Sequence, residues 1–217
     1  TNTLVKDDGF CGAVISTKGL KKIRVCDDGV FAQAGVGLFE LNRVCRDNGL
    51  SGLEFSYGIP GSVGGAVCMN AGAYGESMSS VVDYVCVLQG GKTKRIKAKN
   101  MGFDYRTSKT KDSQMVIVGV KFRLKKSSTK HIEILQNTIF QNRLQRQPYN
   151  EPSLGSVFKR QKGFLPISQI IDSLGLKGFC IGGASVSKKH AGFIVNNHSA
   201  TCQDFLKLVE YVQKKIK

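Results

Sequence analysis

A glycine-rich segment, Tyr57–Gly75 with the sequence YGIPGSVGGAVCMNAGAYG, is the feature that most restricts what this chain can fold into. Six of its nineteen residues are glycine. Packing alone rarely requires so many, because each glycine costs conformational entropy on folding. Such a run allows backbone N–H groups to turn outward and lie close to a phosphate. It matches neither the dinucleotide fingerprint G-x-G-x-x-G nor the P-loop G-x-x-x-x-G-K-[ST]. The composition favours a ligand cradle, and a turn-rich connection between strands is the alternative.

The charge balance favours anionic partners. The 217 residues include 32 Lys and Arg against 16 Asp and Glu, a net charge of +16, which suits nucleic acid, anionic lipid or phosphorylated small molecules. The Lys and Arg are dispersed and no nucleic-acid motif is present, so no nucleic-acid partner is predicted. Apolar stretches such as Met115–Val118 are too short to cross a bilayer, so no membrane insertion is predicted. Seven scattered cysteines without a C-x-x-C pair indicate reduced thiols, no metal site and a cytoplasmic protein.

The first part of the chain, residues 1–124, is predicted to be rich in strands, with one helix. Apolar residues recur at helical spacing from Leu38 to Cys45, and Gly49 is placed to end that helix. Short β-branched or alternating runs predict the strands. They are Val14-Ile15, Ile23–Val25, Val30–Ala34, a hairpin formed by Tyr84–Leu88 and Lys92–Lys97, and Val118–Leu124 with one face buried.

The character of the sequence changes after Leu124, where three helices are predicted. The first begins at Ser127–Thr129 and has the apolar stripe Ile132, Leu135, Ile139 and Leu144. The second runs from about Pro166 to Gly175. The third begins near Thr201, where Asp204 could complete a capping box. The predicted domains are therefore 1–124 and 125–217.

Three further segments carry polar residues suited to chemistry. Asp104–Ser108 is a polar stretch between two predicted strands, and a solvated loop is the commoner fate of such residues. In Pro152–Lys159, Ser156 follows a glycine and could be a positioned proton donor, although most such serines are turn residues. Ile181–Asn197 contains His190, and a lone histidine is more often a structural hydrogen-bond partner than a catalyst.

Together and in this order, these segments resemble the UDP-N-acetylenolpyruvoylglucosamine reductase family, also called UDP-N-acetylmuramate dehydrogenase. The resemblance spans nearly the whole chain and is to the shorter class, which lacks an inserted Tyr loop. The Gly58–Gly75 run and the Gly155–Lys159 motif are specific, and the others support them mainly by their order. The further matches are Thr1–Val5 with Asp7–Phe10, Tyr105-Arg106-x-Ser108, Gly175–Gly183 and Val186–Asn196.

The resemblance implies an α+β fold, with an FAD-binding region of the vanillyl-alcohol-oxidase type followed by a smaller α+β substrate domain. It implies non-covalent FAD and NADPH as the hydride-donating co-substrate. The residues implied to bind the cofactor are Thr1, Asn2, Thr3, Gly58, Ile59, Pro60, Gly61, Ser62, Gly64, Gly65, Asn70, Ala71, Gly72, Ala73, Tyr74 and Gly75.

The activity implied by the resemblance is reduction of the enolpyruvyl group of UDP-N-acetylglucosamine enolpyruvate in peptidoglycan precursor synthesis. By match, Ser156 donates the proton and Arg106 holds the enolpyruvyl carboxylate and stabilises the enolate-like charge. A serine hydroxyl is a poor acid and needs nearby positive charge, which Arg106 and Lys159 could supply. The residues implied to contact the substrate are Tyr105, Lys159, Gln169, Lys188 and His190.

Three departures from the family pattern shape the remaining expectations. The family has a further Gly-rich βα region before the Thr1 position and a segment with a catalytic Glu beyond the last helix. In addition, Arg160-Gln161 replaces the usual Asn-Pro, and Pro166–Ser168 stands where small residues are usual. We expect a fragment truncated at both ends, because the Gly58–Gly75 run, Arg106 and Ser156 are retained, and we expect it to be a monomer. A degenerate, catalytically inactive flavin- or UDP-sugar-binding copy of the same fold is the alternative.

Overall fold

The computed structural model describes residues 2–160 and 163–216, which form two compact units. Unit 1 comprises residues 14–141, and unit 2 comprises residues 2–13 together with the described residues from 142 onwards. The division falls inside the helix Thr129–Arg146 and not at residue 125. The first half of that helix belongs to unit 1 because Ile132 is buried there and Gln136 donates a hydrogen bond to the backbone of Asn42.

Unit 1 is built on a five-stranded antiparallel sheet. The strands of the unit are β1 (Ile23–Cys26), β2 (Gly29–Gln33), β3 (Leu50–Ser51), β4 (Gly72–Ala73), β5 (Glu76–Ser77), β6 (Val82–Gln89), β7 (Lys92–Lys97), β8 (Val116–Arg123) and β9 (Lys125–Lys126). The large sheet has the order β1-β2-β8-β6-β7, while β3 pairs with β9 and β4 with β5. Its register aligns Val30 with Phe122 and Val85 with Val120. These four buried side chains show that one face forms the core.

The helices of unit 1 are α1 (Leu38–Asp47), α2 (Val63–Cys68) and α3 (Thr129–Arg146). Short 3₁₀ turns occur at Thr17–Gly19, Glu54–Ser56, Met78–Ser80 and Ala98–Asn100. The structure confirms the predicted α1, which buries Leu38, Leu41 and Cys45 and is followed by Gly49 with a φ of +62°. The β6–β7 hairpin and strand β8 are confirmed as well.

Two predictions in this part of the chain are wrong. Val14-Ile15 is not a strand, since the pair lies in irregular chain and its side chains are 80% and 87% exposed. The apolar stripe predicted for α3 is only partly buried: Ile132 is enclosed, but Leu135 is exposed and Gln136 takes a buried position instead. Gln136 is buried because its amide donates to the Asn42 carbonyl at 3.0 Å, a contact with residues distant in sequence.

Unit 2 is a four-stranded antiparallel sheet with two helices. Its elements are β10 (Ser153–Ser156), α4 (Ile167–Ser173), β11 (Cys180–Ile181), β12 (Ala184–Val186), β13 (Phe193–Asn196) and α5 (Cys202–Ile216), and the strand order is β10-β13-β12-β11. Leu208 and Val212 of α5 are buried in the core of this unit. The predicted helices that begin near Pro166 and near Thr201 are confirmed as α4 and α5, and the α+β class is confirmed as well.

The capping box at the start of α5 forms as predicted. The Asp204 N–H donates to Thr201 Oγ1 at 3.0 Å, and the Thr201 N–H donates to Asp204 Oδ2 at 3.1 Å. Hydrogen bonds from the backbone N–H groups of Thr201 and Gly183 hold the pKa of Asp204 below its usual value. Across the described parts of the chain, the search for a helix long and apolar enough to cross a membrane finds none.

Candidate functional site

The glycine-rich segment of unit 1, Tyr57–Gly75, follows the 3₁₀ turn at Glu54–Ser56 and contains α2 and β4. The Leu38 N–H donates to the Gly61 carbonyl at 2.9 Å, and Ser62 pairs with Gly37. Ser62 is the N-cap of α2, with its side-chain oxygen accepting from the Gly65 N–H at 3.4 Å. The segment is a turn-rich connection that also contains a six-residue helix, and its role as a ligand cradle stays a prediction.

Four of the six glycines in this segment differ in what surrounds them. A Cβ at Gly64 would lie 2.9 Å from the Cβ of Ala34, and one at Gly72 would lie 2.6 Å from the Glu76 carbonyl oxygen. These two positions need glycine because protein atoms occupy the space. At Gly61 and Gly75, by contrast, a Cβ would meet no atom within 4 Å. Packing does not require glycine at Gly61, which fits close approach of a ligand such as FAD to the backbone there, whereas Gly75 has a φ of +86° that itself favours glycine.

Arg106 lies at the third position of a tight turn, Asp104–Thr107. The backbones of Asp104 and Thr107 exchange two hydrogen bonds of 3.2 Å. Arg106 has a φ of +56°, in the left-handed region, where a turn usually places Gly or Asn. Such strain in a non-glycine residue persists only where the surroundings enforce it, and it is concentrated at functional sites. The Arg106 guanidinium also lies 5.0 Å from the ring centre of Tyr105.

Three hydrogen bonds join this turn to the glycine-rich segment. Arg106 Nη2 donates to the Gly72 carbonyl at 2.9 Å, Asn70 Nδ2 donates to the Asp104 carbonyl at 3.0 Å, and Ser108 Oγ donates to the Cys68 carbonyl at 2.7 Å. The two sequence motifs thus form one continuous site in unit 1. A guanidinium carries five N–H donors, so Arg106 can contact the Gly72 carbonyl and present a planar fork to an anion.

Ser156 lies in unit 2 at the end of β10, where the strand is irregular. Ser153 is opposite Val195 and Ser156 is opposite Phe193, so β10 contains one extra residue. Gly155 has a φ of +79° within this bulge. Bulges change the direction of a side chain and are common beside active sites. The Ser156 side chain is exposed to solvent.

The loop Ser187–Gly192 follows β12 and adjoins the end of β10, since the Val157 N–H donates to the Gly192 carbonyl at 2.9 Å. The buried Ser187 hydroxyl accepts from the N–H groups of Lys189 and His190, at 3.2 and 3.4 Å. Helix α4 also approaches this loop: a Cβ at Gly192 would lie 3.3 Å from Ser168. The predicted substrate residues Lys159, Gln169 and Lys188 are all exposed in this unit.

The His190 ring accepts a hydrogen bond at Nδ1 from the Gly192 N–H at 3.1 Å and packs edge-on against Phe193. A ring that accepts at Nδ1 carries its proton on Nε2 when it is neutral. Burial lowers the pKa of His190, and the positive charge of Lys177 acts in the same direction. At neutral pH, His190 is therefore a neutral ring with an N–H donor at Nε2.

Replacing His190 with Gln tests this protonation state. Because the folded ring has the lower pKa, the unfolded chain takes up a proton first as the pH falls below about 6.5, and folding stability decreases there. The wild-type melting temperature should therefore fall more between pH 7.5 and 5.5 than that of His190→Gln. The difference should be about 1–3 °C, since the ring is only half-buried. His131 and His198 are present in both proteins, so they do not contribute to the difference between them. Equal pH dependence in the two proteins would contradict the assignment.

The remaining predicted cofactor residues are distributed between the units. Gly58, Ile59, Pro60, Ala71, Ala73 and Tyr74 belong to unit 1 with the rest of the glycine-rich segment, whereas Asn2 and Thr3 belong to unit 2. Thr1 lies outside the described residues. Sequence reasoning did not identify Asp104 and Ser108 as the anchors of the Arg106 turn. Their polar residue types singled out the segment. One sequence does not show that Ser108 binds the Cys68 carbonyl or that the Asp104 carbonyl accepts from Asn70.

Comparisons with known proteins identify the class to which this chain belongs. Residues 1–97 match the family described as FAD binding domain, so the chain is a flavoprotein oxidoreductase. Residues 147–217 match the family described as UDP-N-acetylenolpyruvoylglucosamine reductase, C-terminal domain.

The particular family follows from whole-chain similarity. UDP-N-acetylenolpyruvoylglucosamine reductase of Thermotoga petrophila is 43% identical over 217 residues, which cover 100% of this chain and 76% of the relative. The enzyme of that name from Staphylococcus aureus is 40% identical over 218 residues, covering 100% and 71%. The crystal structure of the Thermus caldophilus reductase gives a TM-score of 0.79 at 34% identity, covering 85% of this chain and 68% of that one. The chain belongs to the UDP-N-acetylenolpyruvoylglucosamine reductase family, which confirms the resemblance and the fold class predicted from it.

Proposed function

We propose that the protein reduces the enolpyruvyl group of UDP-N-acetylglucosamine enolpyruvate to UDP-N-acetylmuramate, with bound FAD and with NADPH as the hydride donor. This reaction would serve peptidoglycan precursor synthesis in the cytoplasm. The observation that carries the proposal is the strained Arg106 turn, hydrogen-bonded to a glycine-rich segment in a chain of this family. FAD, when bound, supplies a carrier that accepts hydride from NADPH and delivers it to the enolpyruvyl double bond.

Arg106 is the residue we assign to the substrate carboxylate. Its planar guanidinium matches a carboxylate with two parallel N–H···O contacts, which an ammonium group cannot reproduce. When hydride adds to the double bond, negative charge develops toward that carboxylate. A fixed cation at this position stabilises the charge as it forms. The hydrogen bond to the Gly72 carbonyl holds the guanidinium in place before the substrate arrives.

Ser156 is the residue we assign to proton donation. A serine hydroxyl is a weak acid, but a carbanion-like carbon beside a carboxylate is basic enough to take its proton. The bulge at Gly155 orients the hydroxyl, and its exposed position allows a substrate to reach it. The exposed cations Lys159 and Lys188 suit the phosphates of a UDP-sugar, while His190, Gln169 and Tyr105 offer neutral hydrogen-bonding groups. The net charge of +16 further favours three anionic ligands, FAD, NADPH and the UDP-sugar.

A direct assay tests the proposal. The protein, purified and supplemented with FAD, should show flavin absorbance that NADPH bleaches and that UDP-N-acetylglucosamine enolpyruvate restores. UDP-N-acetylglucosamine, which lacks the enolpyruvyl group, is the matched control and should not restore it. Reoxidation by both sugars at equal rates would contradict the proposed substrate.

Gly61→Val tests whether a ligand approaches the glycine-rich segment. A Cβ at Gly61 would meet no atom within 4 Å, so the flavin-free variant should melt near the wild-type temperature. Its FAD dissociation constant, measured by flavin fluorescence titration, should rise at least tenfold, equivalent to about 1.4 kcal/mol. Gly64→Ala is the contrast, because its Cβ would lie against Ala34 and should destabilise the fold even without flavin. Unchanged FAD affinity in Gly61→Val would show that the ligand does not approach this turn.

A further inference from the structure

Asn70 belongs to the glycine-rich segment, and its side chain joins the 3₁₀ turn Met78–Ser80 to the Arg106 turn. It is 6% exposed and has a φ of +41°. Its Oδ1 accepts from the Ser79 N–H at 2.9 Å, and its Nδ2 donates to the Asp104 carbonyl at 3.0 Å. Because a backbone N–H can only donate, the atom facing Ser79 must be the amide oxygen, and this fixes the orientation of the whole amide group.

The carbonyl that Asn70 binds is the one that closes the Arg106 turn. The Asp104 carbonyl accepts from the Thr107 N–H at 3.2 Å as well as from Asn70. Asn70 thus fixes the first residue of the turn, while Arg106 sits two residues later with its strained φ of +56°. A side chain on such a turn can be held at a defined position only if the base of the turn is fixed.

We infer that Asn70 is a positioning residue, which holds the Asp104–Thr107 turn so that the Arg106 guanidinium meets the substrate carboxylate. The inference rests on the proposed function of Arg106. Both amide heavy atoms of Asn70 bind backbone atoms of unit 1, so its contribution acts through the turn. A misplacement of about 1 Å in such a carboxylate clamp can cost about 10²-fold in rate.

Asn70→Asp is the sharpest test that the structure allows. The variant keeps an oxygen toward Ser79 and a residue type that tolerates the left-handed backbone, but it sets an oxygen against the Asp104 carbonyl in place of the donor. The matched control is Asn42→Asp. Asn42 is fully buried in α1, and its Nδ2 donates to the Leu38 carbonyl at 3.0 Å and to Ser56 Oγ at 2.8 Å. Both changes place a buried carboxylate beside a carbonyl, but only one of them faces the Arg106 turn.

Hydrogen exchange in the flavin-free protein gives a readout independent of catalysis. In Asn70→Asp, the Thr107 N–H should exchange at least tenfold faster than in wild type, while the central strands β6 and β8 keep their protection. Asn42→Asp should leave exchange at Thr107 unchanged. In the flavin-loaded full chain, reoxidation by UDP-N-acetylglucosamine enolpyruvate should fall about 10–100-fold in Asn70→Asp, and flavin reduction by NADPH should stay within about twofold.

A double variant separates positioning from direct binding. If Asn70 acts through Arg106, then Asn70→Asp should add no further loss of reoxidation rate to Arg106→Ala. Additive losses, or an equal loss of both half-reactions in Asn70→Asp, would overturn the inference while leaving the role of Arg106 intact. A wild-type reoxidation rate in Arg106→Ala would overturn the proposed role of Arg106, and this inference with it. Unchanged exchange at Thr107 in Asn70→Asp would overturn the inference alone.

Discussion

Ser156→Ala should nearly abolish reoxidation of the reduced protein by UDP-N-acetylglucosamine enolpyruvate, while flavin reduction by NADPH continues at the wild-type rate. Hydride uptake from NADPH needs no serine proton, whereas completing the reduced product requires one at carbon. General acid catalysis contributes about 10²–10⁴-fold, so we expect a loss of that size in the second half-reaction alone. Stopped-flow absorbance, with NADPH and substrate added in separate mixing steps, measures the two half-reactions independently.

Two further variants control this experiment. Ser156→Cys should recover part of the rate, because a thiol can also donate a proton. Ser153→Ala removes a hydroxyl three residues earlier on β10, ahead of the bulge at Gly155, and should leave both half-reactions unchanged. If Ser156 only shapes the turn after Gly155, Ser156→Ala would cost modest stability and reoxidation would proceed at the wild-type rate. That result would remove Ser156 from the mechanism.

Local sequence signals predicted those elements whose residues lie close together in the chain. The Thr201–Asp204 capping box formed as the spacing indicated, because both partners lie within one helical turn. Helix α1 and the β6–β7 hairpin were predicted for the same reason, since their patterns are complete within a dozen or so residues. In each case the nearby residues determine the structure.

Elements that depend on distant residues could not be predicted in this way. The prediction that one face of Val118–Leu124 is buried leaves Lys121 on the opposite face, but its side chain is buried as well. The register sets it between Phe31 on β2 and Tyr84 on β6, and its ammonium group pairs with Asp28. The neighbours of a strand in the sheet decide its burial, and one sequence does not show them. The buried Gln136 of α3 follows the same rule.

In the candidate site, the sequence indicated the residue types but not the backbone geometry. The order of motifs indicated Arg106 and Ser156, and both remain predictions. The backbone features that would make them effective, the left-handed turn at Arg106 and the bulge at Gly155, became visible only in the structure. Asn70 shows this most clearly: the motif match implied a cofactor ligand, which stays a prediction, and only the structure shows that its side-chain amide binds Ser79 and Asp104.

Arg106→Lys should weaken binding of the enolpyruvyl substrate and slow reoxidation about 10²-fold, with little change in flavin reduction by NADPH. Lysine keeps the positive charge but presents a compact ammonium group in place of a planar fork. Arg106 uses Nη2 for the Gly72 carbonyl and can offer its other N–H groups to a carboxylate. An ammonium group that stays on the Gly72 carbonyl cannot also meet both oxygens of a carboxylate.

A matched control and a second measurement make this prediction specific. Arg95→Lys changes an exposed arginine of β7 that lies over the Tyr84 ring, and it should leave both half-reactions unchanged. Raising the substrate concentration should restore the Arg106→Lys rate only in part, because the lost contact is stronger in the transition state than in the bound substrate. Full recovery at saturation would indicate that Arg106 provides ground-state binding alone. Equal damage to both half-reactions would show that Arg106 serves the flavin or the fold, because only the second half-reaction contains the carboxylate.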